Sequence, residues 1–144
     1  MSPIDTAVLL RKLALMEARL TSLQSIAGIS PDAYRSDEFR RKGAEKLLQE
    51  LVNAAIDTNF HVLVQSGKPA PADAFRSFRD LTGLGLIDDA QAGALSPFAG
   101  LRSRLVHEYE TLDDAKVLAA IREAQTVFPP YVRAVRDRFC PPAR

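Results

Sequence analysis

The sequence is short of the residues that build disulfide frameworks, cysteine-rich metal sites and membrane spans. Its 144 residues include one cysteine, Cys140, and a single cysteine can form no internal disulfide. No apolar run approaches the roughly 18 residues that a membrane-spanning helix needs. The apolar stretch near the start is broken by Arg11, Lys12, Glu17 and Arg19, which argues against a secretory signal. These absences are typical of a protein of the reducing cytoplasm.

An excess of charge of one sign is also missing. Nineteen Lys and Arg residues balance eighteen Asp and Glu residues, which gives a formal net charge of +1. Proteins that hold nucleic acid by overall electrostatics are strongly basic, so any nucleic-acid contact must be local. There is no Gly-rich phosphate loop, no H-E-x-x-H and no G-x-S-x-G, the motifs of common NTPases, zinc proteases and α/β-hydrolases. We expect neither a metal nor a cofactor.

Helical periodicity dominates what remains. Near the start, apolar residues step by four and three, as in a heptad seam; they are Leu9, Leu13, Met16, Leu20 and Leu23. Ser2 and Pro3 suit the start of this helix, and Gly28 suits its end. No segment alternates with a period of two for long enough to be a strand. The sequence predicts one all-α domain over residues 1–144.

A second long helix is predicted over residues 37–65, antiparallel to the first. Its polar residues Asn53, Asp57 and His61 step by four and share one face. Asp57 would orient His61 or a group across the bundle, although a hydrogen-bonded set at a helix–helix seam is the favoured interpretation. His61 is one of only two histidines in the chain, so it is the second candidate for a general base.

Turn and breaker residues divide the rest of the chain. Ser30-Pro31-Asp32 predicts a turn, and the basic residues that follow, over 34–46, predict a solvated helix start or a weak RNA-facing ridge. Pro97 should kink or split one of the later helices, and Pro129-Pro130 should bend or break the last one.

The reactive side chains concentrate in residues 102–109, Arg-Ser-Arg-Leu-Val-His-Glu-Tyr, which read R-x4-H-x-Y. Arg102 offers a planar cation suited to phosphate oxygens. His107 can exchange protons near neutral pH, and Tyr109 can position a substrate or accept a modification. The alternative is a solvated helix end whose cations suit the helix dipole.

This stretch resembles the signature of HEPN domains, specifically the HepT branch of R-x4-H-x-Y ribonuclease toxins. Apolar residues precede the motif Arg and the motif His as they do in that family; they are Leu95, Phe98 and Leu101 before Arg102, and Leu105 and Val106 before His107. The second helix resembles the family's second helix, through residues 47–51, 55–57 and 61–63, and the likeness runs from about residue 4 to 139. Ser103 departs from the pattern, because the family commonly has Asn there.

The resemblance implies a HEPN-like helical bundle that acts as a metal-independent RNA endonuclease toxin. Arg102 would bind the scissile phosphate, and His107 would exchange protons with the ribose 2′-hydroxyl or the leaving 5′-oxygen, leaving a 2′,3′-cyclic phosphate. Tyr109 would be adenylylated by a nucleotidyltransferase antitoxin of the MNT type, which silences the toxin. The implied partners are RNA (tRNA or mRNA), that antitoxin and a second copy of the chain.

The spacing within the motif bears on how such a site is assembled. Five residues of ideal helix set Arg102 and His107 about 140° apart. They can converge only if the helix ends or distorts near His107, or if a second chain contributes. The resemblance implies a homodimer whose two motifs face one cleft. Arg104 is a further cation, either a phosphate contact or a solvated surface residue.

Two other functions fit the same residues. One is a non-catalytic helical HEPN partner that binds nucleotide or a nucleotidyltransferase, to which Ser103 in place of Asn lends some weight. The other is a plain helical interaction module. The hydrophobic periodicity alone does not distinguish these two functions from a ribonuclease toxin.

Overall fold

The computed structural model describes residues 4–142, apart from the side chain of Tyr109. Over that range the chain forms α-helices and two short 3₁₀ turns, with no strand, so the all-α prediction is confirmed. The helices are α1 (Thr6–Ala27), α2 (Pro31–Ser36), α3 (Glu38–Gln65), α4 (Ala74–Asp80), α5 (Asp89–Leu95), α6 (Pro97–His107) and α7 (Asp114–Phe139). The 3₁₀ turns are Leu81–Leu84 and Tyr109–Thr111.

Helix α1 packs against both α3 and α7, and all five residues of its predicted apolar seam are buried. Polar contacts fix its direction. Arg19 pairs with Glu50 of α3 at 3.2 Å, whereas Lys12, earlier in α1, pairs with Asp57, later in α3, at 3.1 Å. The two helices are therefore antiparallel, as predicted. None of the described helices is both long and apolar enough to cross a membrane.

The first helix begins later than predicted. The Asp5 carboxylate accepts a hydrogen bond from the Val8 N–H at 3.1 Å, so Asp5 is the N-cap and Thr6 the first helical residue. Ser2 and Pro3, the predicted starting residues, lie outside the described residues. Gly28 does follow the last residue of α1.

The predicted turn at Ser30-Pro31-Asp32 is wrong, because these residues start α2. The Ser30 hydroxyl accepts a hydrogen bond from the Ala33 N–H at 3.1 Å, and Pro31 occupies the first turn, where its missing N–H costs nothing. Helix α3 then starts after Asp37, whose side chain caps it, as expected for the second long helix.

The predictions for the prolines have opposite outcomes. Pro97 does split the chain into α5 and α6, with Ser96 between them. Pro129 and Pro130 do not break α7, which continues to Phe139. Each proline removes one backbone donor, but the helix is buried on both sides of them, at Phe128 and Tyr131. Burial of this apolar face keeps the helix continuous.

Candidate functional site

The motif helix α6 is held by an apolar face. Phe98, Leu101 and Leu105 are buried, and the Phe98 ring meets Phe128 of α7 edge-on with centroids 5.1 Å apart. The helix ends at His107, where the Glu108 N–H donates to the Arg104 carbonyl oxygen at 2.8 Å. The core thus fixes the rotation of the whole motif.

Arg102 and His107 project from different sides of α6. Helix α6 is α-helical from Pro97 through His107, so the separation of about 140° around its axis holds. Arg102 is half-buried, and its Nε atom is buried without a hydrogen-bond partner among the described residues. His107 is exposed. The helix ends only after His107, so the end of α6 does not turn this side chain towards Arg102.

A different cation shares a face with His107. Arg104 lies three residues before it, and side chains three apart are neighbours on a helix. Both are exposed. The Arg104 guanidinium runs back along α6, with Nη1 3.6 Å from the position that a Cβ on Gly100 would take. Ser103 is also exposed, and its hydroxyl makes no hydrogen bond to the part of the chain that the structure describes.

A groove runs between α6 and the start of α7, with α5 at one end. Its larger part has a volume of about 500 Å³ and the smaller, towards the end of the motif, about 210 Å³. Leu101, Arg104 and Lys116 line both parts, so they mark the junction. Neither Arg104 nor Lys116 pairs with a carboxylate within residues 4–142. The groove therefore presents, beside the motif, two cations that form no ion pair within those residues.

The backbone of Tyr109 starts the 3₁₀ turn after α6. Its side chain lies outside the described part of the structure, so the predicted role as the modified tyrosine stays a prediction. Glu108, just before the turn, and Thr111, its last residue, line the smaller part of the groove.

Asp57 and His61 serve the seam between α1 and α3. The Lys12 ammonium donates to Asp57 Oδ2 at 3.1 Å, and the Asp5 backbone N–H donates to His61 Nε2 at 3.2 Å. Asp57 thus binds a group across the bundle rather than orienting His61. Because its Nε2 lone pair is engaged, His61 is not placed as a free general base. The bonds of Asp57 and His61 favour the interpretation of a hydrogen-bonded seam.

The basic segment over residues 34–46 also makes hydrogen bonds within the fold. Arg40 donates to the Ala33 carbonyl oxygen at 3.3 Å, and Arg41 donates to the Arg35 carbonyl oxygen. These bonds join α2 to α3. They favour the helix-start interpretation over an RNA-facing ridge.

Metal binding and cysteine chemistry find little support in the described side chains. Within residues 4–142 there is no group of three or more His, Cys, Asp or Glu side chains arranged to hold a metal ion. Cys140 is buried, and burial raises the pKa of its thiol above the ordinary value, which favours the unreactive protonated form.

Sequence reasoning missed Lys116. It lies in the first turn of α7, between charged and small residues, and no motif marks it. Its proximity to Arg104 follows from the packing of α7 beside α6, a tertiary relation that one-dimensional spacing does not contain. The unpaired state of both cations is likewise visible only in the folded chain.

Comparison with known proteins covers nearly the whole chain. A family model for HepT-like ribonucleases matches residues 16–135. The chain is 33% identical over 137 residues to the tRNA nuclease HepT of Aphanizomenon flos-aquae, covering 95% of this chain and 93% of that protein. It is also 32% identical over 65 residues to a putative RNase of Archaeoglobus fulgidus, covering 45% and 49% of the two chains.

Solved structures share the fold. The YutE protein of Bacillus subtilis, a cytosolic protein of unknown function, matches with a TM-score of 0.86 at 16% identity, over 100% of this chain and 99% of that one. A tri-AMPylated HEPN toxin of Shewanella oneidensis, solved with its MNT antitoxin, matches with a TM-score of 0.81 at 22% identity, over 90% and 97%. At these identities the likeness concerns architecture, and it confirms the HEPN-like bundle.

Proposed function

This chain belongs to the HepT-like ribonuclease family, and on that premise we propose that it cleaves RNA with Arg102 and His107, at a site that two copies of the chain build together. The observation that carries the proposal is the regular α6 helix, which turns the two side chains away from each other. The family gives the activity, a ribonuclease toxin. The roles of individual residues are our inference.

His107 is the proposed proton-transfer group. It is exposed at the end of α6, and it has no side-chain hydrogen bond to the described part of the chain, so its imidazole is available to a substrate. It takes the proton from the ribose 2′-hydroxyl, whose oxygen attacks phosphorus and forms the cyclic phosphate. The P–O5′ bond breaks, and the leaving oxygen receives that proton from the His107 imidazolium.

Arg102 is the proposed phosphate ligand. A buried donor without a partner is unfavourable, and a charged acceptor compensates it more strongly than a neutral one. The unpartnered Nε of Arg102 therefore favours an anion arriving from outside the chain. A scissile phosphate, which gains charge on its oxygens during cleavage, fits that requirement.

A homodimer supplies the geometry that one chain lacks. Arg102 of one copy would lie beside His107 of the other in a shared cleft. In a two-fold symmetric dimer the same Arg102–His107 contact forms twice, once at each of two equivalent sites. The composite site is thus the assembly that the two orientations on α6 require.

Substrate and regulation are carried over from relatives as part of the same proposal. The Aphanizomenon flos-aquae protein is named a tRNA nuclease, so tRNA is the first substrate to test. Because tRNA is a cytoplasmic molecule, the proposed site of action is the cytoplasm. The Shewanella oneidensis toxin was solved AMPylated and bound to an MNT antitoxin. We place the equivalent modification on Tyr109, two residues after His107, where added AMP phosphates would compete for Arg102.

A non-catalytic HEPN partner that binds a nucleotidyltransferase is the second candidate. Ser103 favours it, since this residue stands where the family commonly has Asn. That function requires no RNA cleavage, which separates it from the first.

The test is a cleavage assay with purified protein and total tRNA, with and without EDTA. Wild-type protein should produce ends carrying 2′,3′-cyclic phosphate in either condition. His107→Ala and Arg102→Ala should each lower the rate by about 10²–10⁴ while leaving the circular dichroism spectrum unchanged. Cleavage that persists in the double variant would place the site elsewhere, and cleavage absent from the wild type would favour the non-catalytic partner.

A further inference from the structure

We infer that the groove between α6 and α7 binds the RNA strand next to the scissile phosphate, with Arg104 and Lys116 holding a neighbouring phosphate. Neither cation belongs to the R-x4-H-x-Y pair. The inference rests on the proposed function, because it adds a strand-positioning subsite to that ribonuclease.

The groove has the shape that a strand requires. Along α7 its lining extends from Asp113 to Glu123, ten residues, or about 15 Å of helix. Along the opposite wall it extends from Gly93 to Glu108. The two parts adjoin at their shared lining residues Leu101, Arg104 and Lys116, so an extended chain laid along both would pass these cations.

The charges are ordered along this length. Arg104 and Lys116 lie at the junction of the two parts, whereas the carboxylates of Glu123 and Glu108 line only one part each. The third carboxylate, Asp113, is engaged at the helix start, where it accepts hydrogen bonds from the N–H groups of residues 115 and 116. A phosphate is therefore attracted to the middle of the groove rather than to its ends.

The walls beside the cations are apolar. Leu101 forms part of the floor, and the larger part of the groove adds small and apolar side chains: Pro97, Phe98, Ala119 and Ala120. A nucleotide presents both a phosphate and an uncharged base and ribose, so this combination suits it better than it suits an inorganic anion. Two unpaired cations would be poorly suited to a purely apolar protein partner.

The position of Arg104 links the groove to the chemistry. Arg104 and His107 are three residues apart on one face of α6, whereas Arg102 faces the other way. The phosphate held at Arg104 would therefore belong to a nucleotide adjacent to the one whose proton His107 moves. Arg104 and Lys116 are positioning residues, since they hold the strand and do not touch the reacting atoms.

Binding can be measured apart from cleavage in a His107→Ala background, with a fluorescent single-stranded RNA and anisotropy over a series of salt concentrations. R104Q and K116Q keep a polar side chain and remove the charge. Each should reduce the slope of log affinity against log salt by about 0.7, and the double variant should bind roughly tenfold more weakly. R133Q, which removes an exposed cation from the same helix about 25 Å along its axis, is the matched control and should change neither quantity.

Ala119 tests the apolar wall. It is exposed within the groove, so substitution should not disturb the core. A119E should weaken RNA binding severalfold, and A119Q, of the same size, should weaken it much less. In the otherwise wild-type enzyme, R104Q/K116Q should raise KM with little change in kcat, as expected for positioning of the strand.

Two results would overturn the inference. One is an R104Q/K116Q variant whose affinity and salt slope match those of R133Q. The other is a change in oligomeric state by light scattering at unchanged affinity per dimer, which would make the groove a protein interface. A wild-type protein that binds RNA through these cations but cleaves none would contradict the proposed function and leave this inference standing.

Discussion

The hydroxyl of Tyr131 donates a hydrogen bond to Asn59 Oδ1 across 2.5 Å at the centre of the bundle. The Asn59 amide in turn donates to Ser77 Oγ at 3.1 Å, and the Ser77 hydroxyl donates to the Ala74 carbonyl oxygen at 2.6 Å. These contacts join α7, α3 and α4 through fully buried side chains. A hydrogen-bonded network of this kind specifies how three helices pack, because each buried side chain needs the next one as its hydrogen-bond partner.

This network predicts opposite outcomes for two tyrosines. Tyr131→Phe leaves Asn59 Oδ1 buried without that donor and should lower the free energy of unfolding by about 1–3 kcal/mol. Tyr34 is equally buried, but its hydroxyl has no partner among the described residues, so Tyr34→Phe should be neutral or slightly stabilising. Urea unfolding of both variants measures the difference. Equal losses would show that the Tyr131 bond is not a net stabiliser.

The two histidines should behave differently. His61→Gln keeps an acceptor for the Asp5 N–H, and His61→Phe removes it, but this bond is exposed and should contribute less than about 1 kcal/mol. Both variants should retain tRNA cleavage, because His61 is engaged at the α1–α3 seam. The comparison is with His107→Ala in the same assay. Loss of cleavage in His61→Phe with retained helicity would assign His61 a catalytic role.

The Lys12–Asp57 pair should contribute little to stability. The two side chains are 35% and 60% exposed, and pairs in that range are typically worth about 0.2–1 kcal/mol. A double-mutant cycle with Lys12→Met and Asp57→Asn should give a coupling energy in that range, declining as salt is added. Cleavage should be unchanged throughout. A coupling energy above about 2 kcal/mol would require that water is excluded from the pair.

Adenylylation of Tyr109 should silence the enzyme. The reaction with ATP and a cognate MNT-type nucleotidyltransferase should add AMP groups at Tyr109 and abolish tRNA cleavage. The reason is that the anionic AMP phosphates would bind Arg102, which the RNA phosphate needs. Mass spectrometry of digested protein locates the mass gain. Tyr109→Phe should cleave more slowly than wild type but faster than His107→Ala, and it should accept no AMP. Modification at Tyr109 that leaves cleavage unchanged would contradict this regulation.

The sequence predicts what local rules control. The spacing of Leu9, Leu13 and Met16 indicates a buried helical seam, and Asp113, a good N-cap, marks the start of α7. Pro97 ends one helix and begins another at a position where its missing donor is tolerated. The motif itself is readable because Arg102 and His107 lie within a few residues of each other.

Tertiary packing controls the rest. Pro129 and Pro130 remain inside α7 because buried residues on both sides of them outweigh two lost backbone bonds. The bond from Tyr131 to Asn59 joins positions 72 residues apart, and the closeness of Lys116 to Arg104 depends on how α7 lies beside α6. No local pattern contains these relations.

The composite site is tested most directly by a heterodimer that carries Arg102→Ala on one chain and His107→Ala on the other, isolated through two different affinity tags. Each parent homodimer should be inactive. The heterodimer keeps one intact Arg102 and one intact His107 on opposite chains, so it should regain tRNA cleavage at about half the wild-type number of sites. A dimeric but inactive heterodimer would contradict the account, because it would mean that both groups must come from the same chain.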